Sequence, residues 1–335
     1  MTRIKVRRMI WIGVAALLLC GVAARAPAAD GVLKRAVFIP QWIPQAQHAG
    51  YYMALEKGFY RKRGIELEVL RGGPNAPASE LLQDGRADFG SLFLAKAIQL
   101  HAGDRTVVQL AQLVQRSSIM LVAKKKNGIL SVPDMEGKKV GLWGAEFQLQ
   151  AETLFKRLRI RVEPVAQSTT VNLFLRDGVE VASAMWYNEY HTILNSGLDP
   201  DDLSTFFFFD YGLNFPEDGI YCLETTYRRD PDLCCRFVRA SLEGWRHAFE
   251  HQEETLDLVM RYVDAAGIAS NRIHQRWMLE RMRDLMTILP NGLPDPRLQS
   301  RDYALVGREL QDAGLIDAVP AYTRFIVDCM GHVER

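Results

Sequence analysis

Arg35-Ala36-Val37-Phe38-Ile39-Pro40-Gln41-Trp42-Ile43-Pro44-Gln45-Ala46-Gln47-His48-Ala49-Gly50 is the stretch on which the fold turns. Residues 35–39 are a short, mostly apolar run ended by Pro40, which has no N–H to give a sheet ladder, so they read as a buried strand. A loop rich in Pro and Gln follows. From 46 to 63 the period changes: Tyr51, Leu55 and Phe59 fall four residues apart, on one face of an expected helix. Residues 66–70 read as a strand again. Strand, helix and strand in that order make a parallel βαβ crossover.

The alternation continues outward. Helices are expected at 78–85 and 94–101, and strands at 87–90, 107–113 and 119–123. After the turn Lys124-Lys125-Lys126-Asn127-Gly128 a second set begins, with strands at 138–142, 162–165 and 181–186 and a short apolar run at 206–210. Its helices are expected at 146–157, 171–176 and 189–195, with a last strand at 220–224 before an almost wholly helical tail. The fold class is therefore α/β, with two lobes: residues 30–123 plus 221–335, and residues 124–220 inserted between them. Two crossings, near Ala123 and Tyr221, would form a two-stranded hinge, with ligand held between the lobes at the C-terminal strand ends. A two-domain α/β enzyme has the same pattern.

The N-terminus adds a compartment. Arg3, Lys5, Arg7 and Arg8 precede the uncharged stretch 9–24, and Ala26-Pro27-Ala28-Ala29 follows it. Sixteen such positions are short for a bilayer span, which needs ~20, and suit a cleavable signal peptide over residues 1–29. That segment holds five of the 41 Lys and Arg and none of the 40 Asp and Glu, so the remainder has 36 basic against 40 acidic residues, net −4. Such a balance leaves no electrostatic footprint for nucleic acid. Beyond the signal lie Cys222, Cys234, Cys235 and Cys329, an even number that permits a disulfide. Cys234 and Cys235 are adjacent on an expected helix, where buried thiols on its apolar side are the plainer reading.

Loops after strands are where such folds bind, and several carry the right side chains. The first holds Trp42, Gln45 and His48, an aromatic face with amide and imidazole edges. Ser91 follows the strand at 87–90, as a helix cap or a donor. In the second lobe Trp143 and Glu146 follow one strand, and Tyr187, Asn188 and Glu189 follow another. Asp218, in Pro216-Glu217-Asp218-Gly219, lies at the return crossing. No nucleophile elbow, phosphate loop or His-Glu-x-x-His motif is present, so no catalytic or metal-binding residue is assigned. His247 and His251 sit at helical i, i+4 spacing, but on a charged stretch that reads as a solvated face; His191 and His274 are isolated.

Several stretches together resemble the thiamine-precursor (formylaminopyrimidine) binding proteins of ABC importers, a family of type 2 periplasmic binding proteins that shares its domain with the fungal thiamine-pyrimidine synthases. They are residues 42–52, Glu56-Lys57-Gly58-Phe59-Tyr60, Gly85-Arg86-Ala87-Asp88-Phe89-Gly90, 130–141, 186–190 and 216–219. The resemblance implies a periplasmic monomer that binds a small aromatic or heterocyclic solute such as a thiamine pyrimidine precursor, or else a sulfonate, nitrile or riboflavin as relatives on the same frame do; it needs no cofactor, and works with a membrane permease and an ATPase. Gln41 and Gln45 depart from the Asn or Asp found at those places in many bacterial members. The synthases carry a lysine and, four residues on, a histidine, where this chain has Leu92 and Lys96. Of their four-cysteine cluster near the return crossing, Cys222 alone has a counterpart. Synthase activity is therefore not expected.

Overall fold

The computed structural model describes residues 33–104 and 106–331, and the expected signal peptide lies outside them. Strand β1 (Lys34–Ile39) leads through the quoted loop into α1 (Ala49–Glu56) and α2 (Phe59–Lys62), then β2 (Ile65–Val69). The helix expected over 46–63 is thus divided. A 3-10 turn occupies Ala46–His48, and Gly58, at φ +67°, ends α1, because glycine takes this left-handed conformation without strain. α3 (Ala78–Gln83), β3 (Phe89–Leu92), α4 (Leu94–Ala102) and β4 (Val107–Val114) follow.

β5 (Ile119–Lys124) opens the second set. It continues with β6 (Lys139–Leu142), α5 (Leu149–Leu158), β7 (Glu163–Ala166), α6 (Asn172–Leu175), β8 (Val181–Met185), α7 (Glu189–Asn195) and β9 (Leu203–Phe207). β10 (Glu217–Leu223) returns, and α8 (Glu224–Arg229), α9 (Pro231–Glu250), α10 (Gln252–Ala265), α11 (Arg272–Leu285), α12 (Ser300–Asp312) and α13 (Tyr322–Phe325) make the tail. No described helix is long and apolar enough to cross a membrane.

The strands form two five-stranded sheets, ordered β2-β1-β3-β10-β4 and β7-β6-β8-β5-β9. Each has four strands running one way and one that runs against its neighbours, β10 in the first and β5 in the second. β5 departs from the sequence reading, which left 119–123 with the first lobe. All six of its residues are buried, and it pairs with β8 and β9. A continuous apolar run specifies a central strand but not which sheet receives it. Ala123 and Tyr221 accordingly lie inside strands, and the chain crosses between sheets at residues 115–118 and 208–216.

The first sheet is backed by α1 crossing α9 at very short range. Gly244 lies so close to α1 that a Cβ there would stand 2.1 Å from the Gly50 carbonyl oxygen. Cys235, also on α9, is bonded to Cys329, while Cys222 and Cys234 are buried free thiols. The buried-thiol expectation therefore fails for Cys235. Neighbours on a helix point about 100° apart, so Cys234 faces the core and Cys235 turns toward the chain end.

Candidate functional site

One cavity of about 250 Å³ is built by loops from both sheets. The loop after β1 contributes Gln41, Trp42, Gln45 and Gln47, and the loop after β6 contributes Trp143, Gly144 and Phe147. Met185, Tyr187, Asn188 and Glu189 come from the end of β8. All three strands belong to the parallel part of their sheets, whose C-terminal ends open into a crevice. Trp42 is half-buried, not a core plug. Tyr187 is almost wholly buried, and its hydroxyl donates to Met185 Sδ at 2.7 Å.

Six of the ten expected ligand residues line this cavity: Trp42, Gln45, Trp143, Tyr187, Asn188 and Glu189. The other four are placed differently. His48 is fully buried, and burial outweighs a backbone hydrogen bond with Trp42 and lowers it to about 3, so it is a neutral core residue edge-on to Tyr52. Ser91 Oγ accepts the Gln41 N–H at 2.9 Å and supports the first loop from beneath. Asp218, at φ +43°, accepts from Gln47 Nε2 at 2.7 Å and also meets the Gln41 side chain, so it acts on the cavity through those two amides. Glu146 lies in a 3-10 turn beside the cavity and does not line it.

The sequence reading passed over Gln167, Ser168 and Thr169, which follow β7 and line the same cavity. Gln167 bridges to β8: its Nε2 donates to Ser183 O at 2.7 Å, and its Oε1 accepts the Ser183 N–H at 3.1 Å. The signal was a polar run directly after the strand expected at 162–165.

The carboxylate lining the cavity is Glu189. Its carboxylate accepts the Met185 N–H at 3.0 Å and the Asn188 amide at 2.8 Å, yet burial outweighs both and raises it to about 7. Among the described residues no Lys or Arg lines the cavity. Beneath it, Glu217 spans the crossing segment: Oε1 accepts from Ser118 N and Ser117 Oγ, and Oε2 from Ser118 Oγ at 2.7 Å. Burial raises Glu217 to about 8 and Asp218 to about 7.

These three carboxyls keep protons when folded that the unfolded chain releases near the ordinary values of 3.8 and 4.5. His48 and His274, lowered to about 3 and about 4, and His191, also lowered by burial, act in the opposite sense, fading as the pH rises past their ordinary 6.5. Between about pH 6.5 and 8 the folded state therefore binds more protons than the unfolded one, and stability should fall across that window. Glu217→Gln should flatten the slope. Urea unfolding at pH 6.5, 7.2 and 8 measures it, and a wild-type stability that rose across those points would contradict the assignment.

The remaining cluster, His247, His251 and Glu254, has ligand atoms within 4.8 Å of one another on the α9–α10 surface. Its carboxylate is already shared between Lys57 and His247, consistent with a solvated ion-pair face.

A family model described as NMT1/THI5 like matches residues 45–255. The riboflavin-binding protein RibY of Chloroflexus aurantiacus is 26% identical over 315 residues, covering 88% of this chain and 86% of that protein. A 4-amino-5-hydroxymethyl-2-methylpyrimidine phosphate synthase of Legionella pneumophila is 26% identical over 259 residues, covering 69% and 75%. Among solved structures, the periplasmic aliphatic sulphonate binding protein SsuA of Escherichia coli matches with a TM-score of 0.66 at 13% identity, covering 88% of this chain and 97% of that one. With its two mixed five-stranded sheets and that match over 45–255, the chain has the fold of the periplasmic binding proteins and belongs to the NMT1/THI5-like family.

Proposed function

We propose that this protein is an exported solute-binding component of an ABC importer, which closes two lobes on a small, flat, uncharged or cationic heterocycle. The lobes are residues 33–114 with 217–331, and residues 119–207, and they hinge at 115–118 and 208–216. The observation that carries this reading is the cavity itself: Trp42 from one side, Trp143 and Phe147 from the other, and Glu189 as its charge. Aromatic walls suit a planar ring. A carboxylate with no cation beside it suits a ligand that donates hydrogen bonds, and repels sulfonates and phosphate esters. The reading is not enzymatic. Leu92 is buried in β3 and Lys96 lies on α4, and neither reaches the cavity.

A thermal-shift screen of residues 30–335 against 4-amino-5-hydroxymethyl-2-methylpyrimidine, riboflavin, taurine and pyridoxal phosphate tests this. One of the first two is expected to stabilise the protein, and neither of the last two. Trp42→Ala should weaken binding at least tenfold, in keeping with ~1–3 kcal/mol for stacking on an aromatic face, with little change in the ligand-free melting point because Trp42 is only half-buried. Glu189→Gln should weaken it comparably, since a hydrogen bond to a charged group contributes ~1.5–3 kcal/mol. Stabilisation by taurine, or normal affinity in a stable Trp42→Ala protein, would overturn this assignment.

A further inference from the structure

His191 and His274, 83 residues apart, meet with their Nδ1 atoms 2.9 Å from each other. His274 Nε2 lies 2.9 Å from Asn188 Oδ1, and Asn188 Nδ2 lies 2.8 Å from Glu189 Oε1. One arrangement of protons satisfies this chain. The Glu189 carboxylate accepts, so the amide turns its NH2 toward it. The amide oxygen then accepts from His274, whose proton must sit on Nε2. His274 Nδ1 is left as a lone pair, so His191 carries its proton on Nδ1, and the Asn195 amide, whose Nδ2 is placed 3.1 Å from that same nitrogen, must turn its oxygen there instead. Asn188 precedes α7, where asparagine commonly caps a helix, but its side chain makes no cap bond. It is committed to Glu189 and His274 instead.

The histidines come from elements on opposite sides of the cleft. α11 is fixed to the first loop: Gln275 Oε1 accepts the Ala46 N–H at 2.7 Å, and the Gln47 N–H points to Met278 Sδ at 3.3 Å. The neighbouring face of the same helix carries His274, Trp277 and Arg281 at i, i+3 and i+7. Trp277 Nε1 donates to the Trp186 carbonyl at 2.9 Å, and its ring stacks on His191 with centroids 4.8 Å apart. Arg281 lies over both the Trp186 and Trp277 rings.

We propose that His274 and Trp277 latch α11 to α7 when the clamp is shut, and that His274 is a positioning residue of the ligand site, locking the Asn188 amide with its NH2 toward Glu189. The inference rests on the solute-clamp reading and deepens it. In the shut protein the cleft presents one free amide N–H beside a carboxylate, a pair that selects a ring edge with an acceptor next to a donor. Opening separates α11 from α7 and frees the amide to turn, so the reading edge is complete only on closure. Burial, followed by the neighbouring His191, lowers His274 to about 4, which keeps it in the neutral form that the one-way chain requires.

Long-range proton–nitrogen spectra of the imidazoles at pH 7.5 read the tautomers in the ligand-free protein. His274 should carry its proton on Nε2 and His191 on Nδ1; the reverse in either ring overturns the latch. Titrations with riboflavin and 4-amino-5-hydroxymethyl-2-methylpyrimidine then compare His274→Leu with His274→Gln, whose amide restores a donor near the Nε2 position. The leucine variant should lose at least tenfold in affinity, and the glutamine variant should return to within threefold of wild type. Equal affinity in the leucine variant and wild type, or an equal loss in both variants, removes the positioning role. If neither probe binds the wild type, the solute-clamp reading for these ligands fails, while the tautomers still decide the latch.

Discussion

Breaking the Cys235–Cys329 bond is expected to lower the free energy of unfolding by about 3–4 kcal/mol, the largest effect among the changes considered. The bond closes a loop with a sequence separation of 94 residues. Its absence returns to the unfolded chain the conformational freedom of that whole segment, which includes α10, α11 and α12. The folded side is also affected. The chain end is held against β4 by the Val327 N–H to the Gln109 carbonyl at 3.0 Å, and against α9 by Arg239 Nη2 to the Cys329 carbonyl at 3.1 Å. These bonds and the packing of the segment must then keep the end from fraying. Denaturant unfolding of the wild type and a Cys235→Ser, Cys329→Ser double variant measures the difference. The midpoint should drop and the slope rise, because an uncrosslinked chain exposes more surface. Coincident curves would show that the bond does not form. Such a bond persists in an oxidising compartment, in keeping with the proposed export.

Gly244→Val should cost about 3 kcal/mol. Glycine inside a helix ordinarily weakens it by roughly 1 kcal/mol relative to alanine, so substitution at an open helical site would stabilise. Here the sign reverses. A Cβ at 244 would lie 2.1 Å from the Gly50 carbonyl oxygen and 2.6 Å from Ala54 Cβ, and the first of these is backbone that no rotamer change can move. α1 and α9 would have to separate, and Trp245, buried beside Gly50, would lose its packing with them. α1 carries the first cleft loop at its N-terminus, so affinity should fall along with stability. Thermal melts of Gly244→Ala and Gly244→Val should show both lowered, the valine variant further. A Gly244→Ala protein melting at or above wild type would mean that the helices cross less closely.

What the sequence determined by itself is local. The period changes at 181–186 and 189–195 mark a strand and a helix, and the structure has Val181–Met185 and Glu189–Asn195. Trp42, Trp143, Asn188 and Glu189 were legible as cleft residues because in parallel sheets the loops after strands gather at one end. Tertiary structure alone decided matters that join distant parts of the chain. Residues 119–124 read as a strand from their apolar run, but only pairing with β8 and β9 assigns them to the second sheet. His48, Ser91 and Asp218 fall in the right loops, and which way each side chain turns placed them behind the cavity instead of on it. The His191–His274 contact and the Cys235–Cys329 bond follow from how α11 and α9 are rotated about their axes when they pack against α7 and the segment after α13. That rotation is set by the summed fit of many side chains, and no short window of sequence contains it.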